Sequence, residues 1–162
     1  MPEGLGFISS AILYLIVGLP RSGKSTWIRN NKDRLNATVI ENDWIRANIL
    51  HANNCKSTEP ALWMITDATM RILLSQGKNI ILDGVNLTRF TRKFFIDAAR
   101  ECNAEVVCVW VDTSAEECKR RNISDYKLPE EIINKMRCSL DEPTLDEFDS
   151  ITRISEADTT TC

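Results

Sequence analysis

The sequence predicts a doubly wound α/β domain, a mostly parallel sheet with helices on both faces. Three observations carry that expectation. Four short apolar runs, Ile12 to Val17, Ala37 to Ile40, Asn79 to Leu82 and Val106 to Val111, lack the polar alternation of a half-exposed strand and read as strands buried on both faces. Segments of helical character separate them, and strands alternating with helices favour parallel crossovers. The length, 162 residues of which 43% are hydrophobic and 27% charged, suits a single domain over residues 1–162.

Each element has its own justification. The run Ile12 to Val17 ends in Gly18 and is the expected central strand, with a helix from Lys24 to about Asn31. Ala37 to Ile40 is the second strand, and Asp43 to about Leu50 a helix bearing Ile45, Ile49 and Leu50. The polar run 51–57 reads as a loop. Thr58 is the expected cap of the next helix, with Pro60 in its first turn and Gly77 past its end. Leu62, Ile65, Thr69 and Ile72 repeat there at helical spacing, which predicts one core-facing stripe. The third strand closes on Asp83 and Gly84, so a carboxylate stands at its C-terminal end. A helix to about Cys102 follows, with Phe94, Ala98 and Cys102 on one face. After the fourth strand, Ser114 to Asn122 and Pro129 to Leu140 read as helices around a polar hinge at 123–128. Ile151 to Ile154 is a short last strand, and the tail from Ser155 is expected to fray.

Charge and composition narrow the function classes. Twenty Lys and Arg against 23 Asp and Glu give a formal net charge of -3, so no global positive field grips a long duplex, and nucleic-acid contact is expected to be local. The uncharged stretch Leu5 to Gly18 is too short to span a bilayer, and no basic residue precedes it as in a secretory signal, so a cytoplasmic chain without a membrane segment is expected. The 6 cysteines form no CxxC pair and read as free thiols.

Gly18-Leu19-Pro20-Arg21-Ser22-Gly23-Lys24-Ser25 fits G-x-x-x-x-G-K-[ST] and lies between a strand and a helix, as its mechanism requires. The glycines let the backbone curl with its N–H groups inward, and the helix N-terminus adds positive potential. Lys24 is expected to reach the β and γ phosphates and Ser25 to offer its hydroxyl to Mg²⁺, with Thr26 completing the nucleotide-binding run. The domain is therefore expected to be of the P-loop NTPase type, with ATP and Mg²⁺ as cofactors. Neither a D-x-x-G switch nor an N-K-x-D guanine clamp is present, since Asn134-Lys135-Met136-Arg137 lacks the Asp, and a GTPase is disfavoured. Motor and AAA-type ATPases usually need more chain for their extra subdomains. A small-substrate phosphotransferase remains.

At the end of the second strand, Asp43 and Arg46 stand one helical turn apart on the same face. The carboxyl ends of parallel strands face the ligand crevice. An Asp there can take an acceptor hydroxyl's proton and an Arg can pair with an acceptor phosphate; the plainer alternative is a capping Asp in an i,i+3 salt bridge. Asp83 is placed to hold a Mg²⁺ water or to orient Asn86. Trp44 and Trp63 either stack on a base or pack in the core. Arg89, Arg92 and Lys93 read equally as a basic rim or as a solvated helix face. His51, the single histidine, has no assigned role.

Together, Gly18 to Trp27, the D-x-x-R at Asp43 and Arg46, Asp83-Gly84-Val85-Asn86-Leu87 and Lys119-Arg120-Arg121-Asn122 resemble the bacteriophage polynucleotide kinase family over residues 11 to about 140. The resemblance implies that the Walker loop holds ATP, that Asp43 is the general base, and that Arg46 binds the acceptor phosphate. It also implies a helical lid at about 119–128, whose Arg121 or Arg120 stabilises the transferring phosphoryl group. Asn86 and Trp44 join Arg46 as acceptor-binding candidates. Family lids carry a second basic residue where this chain has Asp125, so Lys127 or Arg120 is expected to serve. The phosphatase domain of the best-known relatives has no counterpart, which implies a kinase module alone. Glu59-Pro60-Ala61-Leu62-Trp63 and Asp141-Glu142-Pro143 resemble a phage branch that phosphorylates hydroxymethylated pyrimidines in DNA. Expected acceptors are thus DNA or RNA 5′-hydroxyl ends, base hydroxymethyl groups, or free nucleosides and nucleotides. A protein of another class, in which ATP only orders the lid, is the remaining alternative.

Overall fold

Ile12–Val17 (β1) lies at the centre of a five-stranded sheet in which all pairings are parallel. The computed structural model describes residues 10–52, 56–123 and 127–159. Along the chain follow Lys24–Asn31 (α1), Ala37–Glu41 (β2), Asn42–Asn48 (α2), Glu59–Ser75 (α3), Asn79–Asp83 (β3), Arg89–Glu101 (α4), Glu105–Asp112 (β4), Ala115–Arg120 (α5), Glu130–Cys138 (α6) and Ser150–Ser155 (β5). The sheet order is β2-β3-β1-β4-β5, with Leu13 opposite Ile80 on one side of β1 and Val106 on the other.

The twofold alternation of side chains along each strand builds a core on both faces. Leu13, Leu15, Val17, Ile80 and Leu82 pack under α2, α3 and α4 with Ile45, Leu62, Met70, Phe95 and Ala99. Ile16, Ile81 and Val109 pack on the opposite face with Ile28 of α1. A smaller cluster of Leu19, Leu87, Ala115, Cys118 and Ile133 fastens α5 and α6 to the loop after β1. This is the doubly wound arrangement that continuous apolar strands imply.

Details depart from expectation for identifiable reasons. The buried stripe of α3 is Leu62, Thr66, Met70 and Leu74, while Ile72 is 58% exposed. A polar residue enters the stripe because the Thr66 hydroxyl donates to Asn42 Oδ1 at 3.1 Å, so neither group is buried unpaired. Thr58 stands at the N-cap of α3, but its side chain makes no capping hydrogen bond. The buried face of α4 is Arg92, Phe95, Ile96, Ala98 and Ala99, with Phe94 turned towards Trp63 instead. The tail does not fray at Ser155: Ala157–Thr159 form a 3₁₀ turn and Thr159 is buried.

Ser114 caps α5 by accepting from the Glu117 N–H at 3.2 Å. The Asn122 amide donates to the Leu128 carbonyl at 2.6 Å and accepts from its N–H at 3.1 Å, drawing the two ends of the hinge together. Asp125 lies outside the described residues, as do Cys55 and Cys162, whereas Cys102, Cys108, Cys118 and Cys138 are free thiols. Among the described residues, no helix is long and apolar enough to cross a membrane.

Candidate active site

The loop between β1 and α1 is held from three directions. The Gly18 N–H donates to the Val85 carbonyl at 3.2 Å, and the Ser22 carbonyl accepts from Thr113 Oγ1 at 2.7 Å and from Arg121 Nη1 at 3.1 Å. A Cβ on Gly18 would fall 2.8 Å from Ser22 Oγ and 2.9 Å from the Val111 carbonyl, so only glycine lets the loop close there. Gly23 has φ 107° and its Cα faces Thr159, whose Cβ would lie 2.8 Å from any side chain added. Helix α1 starts with no side-chain cap and no acid in its first turn, which leaves its N-terminal potential for an anion.

Lys24 Nζ donates to the carbonyls of Gly18 at 3.2 Å and Leu19 at 2.7 Å. Burial pushes its ammonium below the ordinary value, while the charges of Asp83, Cys118 and Asp43 draw it back up. Lys24, Arg21, Ser25 and Thr26 line a cleft of about 440 Å³ together with Arg120, Arg121 and Thr159. The loop and Arg120 and Arg121, identified separately in the sequence, thus share one cavity. A cleft of about 560 Å³ beside α5 and α6, lined by Asp112, Glu116 and Arg137 among others, contains no phosphate-loop residue.

Glu117 holds both Arg120 and Arg121. Arg120 Nε and Nη2 each donate to it at 2.6 Å, as does Arg121 Nε, while Arg121 Nη1 also donates to Thr159 Oγ1 at 3.0 Å. The Arg120 and Arg121 hydrogen bonds hold the Glu117 carboxyl well below the usual range, at about 2. Glu117 was legible in principle, because it precedes the arginines by three and four residues on one helix face. Thr159 carried no local signal.

The D-x-x-R pair and Asp83 stand where β2 and β3 end. Glu41 pairs with Asp83 in the sheet register, and Asp43 follows in the first turn of α2. Burial raises the Asp83 carboxyl above its ordinary value; Lys24 draws it down, and Glu41 and Asp43 push it further up. The charges of Lys24, Asp83 and Asp43 therefore interact, although Asp43 and Asp83 are not among the residues that line the cleft of Lys24, Arg120 and Arg121. The Asp43 side chain is 94% exposed, and Arg46 Nη1 donates to it at 2.6 Å. Arg46 Nε and Nη2 donate to Glu59 Oε1 at 3.0 and 2.8 Å, a partner that the sequence did not reveal. Trp44, beside Asp43, is 55% exposed rather than in the core.

Two candidates move. Asn86 does not face an acceptor: it is buried with φ 45°, and its amide donates to the Ile16 carbonyl at 2.7 Å, so it staples the β3–α4 loop to β1 and is not oriented by Asp83. Arg92 belongs to no basic rim. It is fully buried, bidentate to Glu147 at 2.9 and 2.8 Å, and donates to the carbonyls of Leu87 and Asp141 at 2.9 Å each. Arg89 and Lys93 remain at the surface, paired with Asp146 and Asp97. His51 is exposed in a positive-φ turn.

Among the described residues no group of three His, Cys, Asp or Glu side chains can hold a metal by itself. The oxygen donors of Ser25 and Asp83 nevertheless fit Mg²⁺, a hard cation that keeps several waters and binds through few protein oxygens plus substrate phosphates. The raised Asp83 carboxyl fits as well, since a cation relieves the cost of its burial.

A parallel 2-3-1-4-5 sheet with a Walker loop, two arginines in the loop's cleft and an exposed D-x-x-R pair after the second strand is the arrangement of a kinase-type P-loop domain. Residues 13–143 match the family described as the AAA domain, and the chain belongs to that family. The curated relatives that follow are named as kinases, in keeping with the phosphotransferase that the sequence leaves. One is the bifunctional polynucleotide phosphatase/kinase of Schizosaccharomyces pombe, 25% identical over 141 residues, covering 83% of this chain and 31% of that protein. Another is the L-seryl-tRNA(Sec) kinase of Methanococcus maripaludis, 24% identical over 136 residues, covering 82% of this chain and 53% of that one. The chain thus spans about a third and about half of these curated relatives. Among solved structures, a chain of the Pnkp1/Rnl/Hen1 RNA repair complex superposes with a TM-score of 0.72 at 22% identity, covering 80% of this chain and 44% of that one, a likeness of fold.

Proposed function

We propose that the protein is an ATP- and Mg²⁺-dependent phosphotransferase that moves the γ-phosphate of ATP to a hydroxyl of nucleic acid, most simply a 5′-hydroxyl end. The observation that carries this reading is the solvent-facing Asp43 carboxylate, held by Arg46 at 2.6 Å and close enough to Lys24 and Asp83 for their charges to interact. Asp43 together with Arg120 and Arg121 favours phosphoryl transfer over nucleotide binding alone. The relative named for polynucleotide kinase activity supports an acceptor hydroxyl on nucleic acid, the relative named for L-seryl-tRNA(Sec) supports an acceptor that carries a nucleic acid, and the matched motifs support the phage polynucleotide kinase type.

In this reading Lys24 exchanges its two loop carbonyls for β and γ phosphate oxygens, and the lid arginines exchange Glu117 for the transferring group. The acceptor oxygen attacks the γ phosphorus, the bond to the ADP oxygen breaks, and Asp43 takes the hydroxyl proton. Ser25 and Asp83 would hold Mg²⁺, which would supply charge neutralisation at the phosphates. Arg46 turns from Glu59 to the acceptor's own phosphate, for which its planar fork is suited. Exposed Trp44, next to Asp43, favours a second acceptor, a pyrimidine hydroxymethyl group whose ring stacks on the indole.

The test is transfer from radiolabelled ATP to a panel of 5′-hydroxyl oligonucleotides, hydroxymethylated DNA and free nucleosides, by wild type and Asp43→Asn. Asn keeps the size and polarity of Asp but cannot take a proton, so turnover is expected to fall about 10² to 10⁴-fold with ATP affinity nearly unchanged. Normal turnover in that variant returns Asp43 to a salt-bridge role, and the acceptor that labels identifies the substrate class.

A further inference from the structure

The crevice-side ends of α3 and α4 carry apolar side chains that phosphoryl transfer does not use. Phe90 is 78% exposed and Met64 72%, at the start of one helix and in the second turn of the other. Between the helices lies the half-buried Trp63, its ring centroid 6.1 Å from Phe90 and 5.1 Å from Phe94. Phe95, fully buried, backs Trp63 at 6.0 Å and meets Phe94 edge-on at 5.1 Å. The rings are fixed from behind and open in front, an arrangement that folding alone does not require.

This patch is continuous with the acceptor site. Asp43 is held by Arg46 and Arg46 by Glu59 at 2.8 Å; Trp63 stands one helical turn beyond Glu59 on the same face of α3, and Phe90 lies against Trp63. Arg89 and Lys93 flank Phe90 in exposed pairs with Asp146 and Asp97, and surface pairs of that kind are worth little to the fold. Exposed aromatic faces within a polar rim match a single strand, whose bases stack and whose phosphates stay in water.

We infer that Trp63 and Phe90 form a stacking platform for a base of a single-stranded nucleic-acid acceptor, one or two nucleotides in from the hydroxyl that is phosphorylated. The inference rests on the acceptor reading above and extends it beyond the first nucleotide. Stacking on an aromatic face tolerates every base, so the platform recognises strand length rather than sequence.

The experiment compares kcat/KM of wild type, Phe90→Ala and Phe90→Tyr on a nucleoside 3′-phosphate, a dinucleotide, a tetranucleotide, and a tetranucleotide abasic at its second and third positions. Wild type is expected to gain with length. Phe90→Ala loses about 5- to 150-fold on the tetranucleotide, the worth of one stacked base, and little on the nucleoside 3′-phosphate. Tyr, which keeps the ring, restores the gain, and the abasic acceptor reproduces the Ala loss on wild type. Quenching of tryptophan fluorescence by unlabelled tetranucleotide reads binding without turnover and weakens in parallel. Transfer to nucleic acid with an unchanged length dependence in Phe90→Ala overturns the platform alone. No transfer to any 5′-hydroxyl acceptor by wild type overturns the acceptor reading and the platform with it. Loss of self-association or of protein binding in Phe90→Ala, with kinetics intact, assigns the patch to a protein partner and also overturns the inference.

Discussion

Arg46 donates through Nη1 to Asp43 and through Nε and Nη2 to Glu59, so its charge is shared between the proposed base and a neighbouring acid. An acceptor phosphate has to displace Glu59 from that fork. Arg46→Ala is therefore expected to lower kcat/KM by roughly 10- to 150-fold for an oligonucleotide or a nucleoside 3′-phosphate, the worth of one charge-assisted contact. Transfer to an unphosphorylated nucleoside is expected to change far less, and steady-state kinetics on both acceptors make the comparison. Equal losses on the two acceptors assign Arg46 to the γ phosphate or to the fold. The pair itself was legible because one helical turn fixes which side chains are neighbours. Glu59 was not, because it reaches Arg46 across a connection whose path no local pattern encodes.

Helix α4 shows how a charge pattern misleads. Arg89, Arg92 and Lys93 read alike in sequence, yet Arg92 is the largest of the fully buried side chains, because Glu147, 55 residues away, accepts from it twice. Its Nη1 also holds the Leu87 carbonyl beside Asn86, so the element that carries the loop against β1 depends on one buried ion pair. Glu147→Ala leaves that guanidinium uncompensated and is expected to destabilise the fold by about 3–5 kcal/mol, measured by urea unfolding. A loss below about 1 kcal/mol shows that water replaces the carboxylate. Apolar periodicity failed on α3 and α4 for a related reason. Thr66 and Arg92 count as polar until their partners are known, and those partners come from other elements.

For the whole molecule, the alternation of strands with helices and the central place of β1 followed from the sequence because a parallel sheet buried on both faces leaves a continuous apolar signature, whereas the order β2-β3-β1-β4-β5 is set by contacts that no local pattern encodes. The turn at Ala157–Thr159, which closes the cleft against Gly23, left no such signature, since a polar tail resembles any other until it finds its seat. The central position of β1 also bears on how the chain reaches its fold. Its partners are not local: Leu13 pairs with Ile80 and with Val106, so the apolar run Ile12 to Val17 leaves the ribosome long before either neighbour exists. Contacts of such sequence separation slow folding and leave an unpaired hydrophobic strand able to meet another chain first. Dilution from urea is accordingly expected to give a yield of native protein that falls as protein concentration rises, followed by light scattering. A yield independent of concentration would mean that β1 is shielded early, and synthesis in the cell would then need no chaperone to guard it.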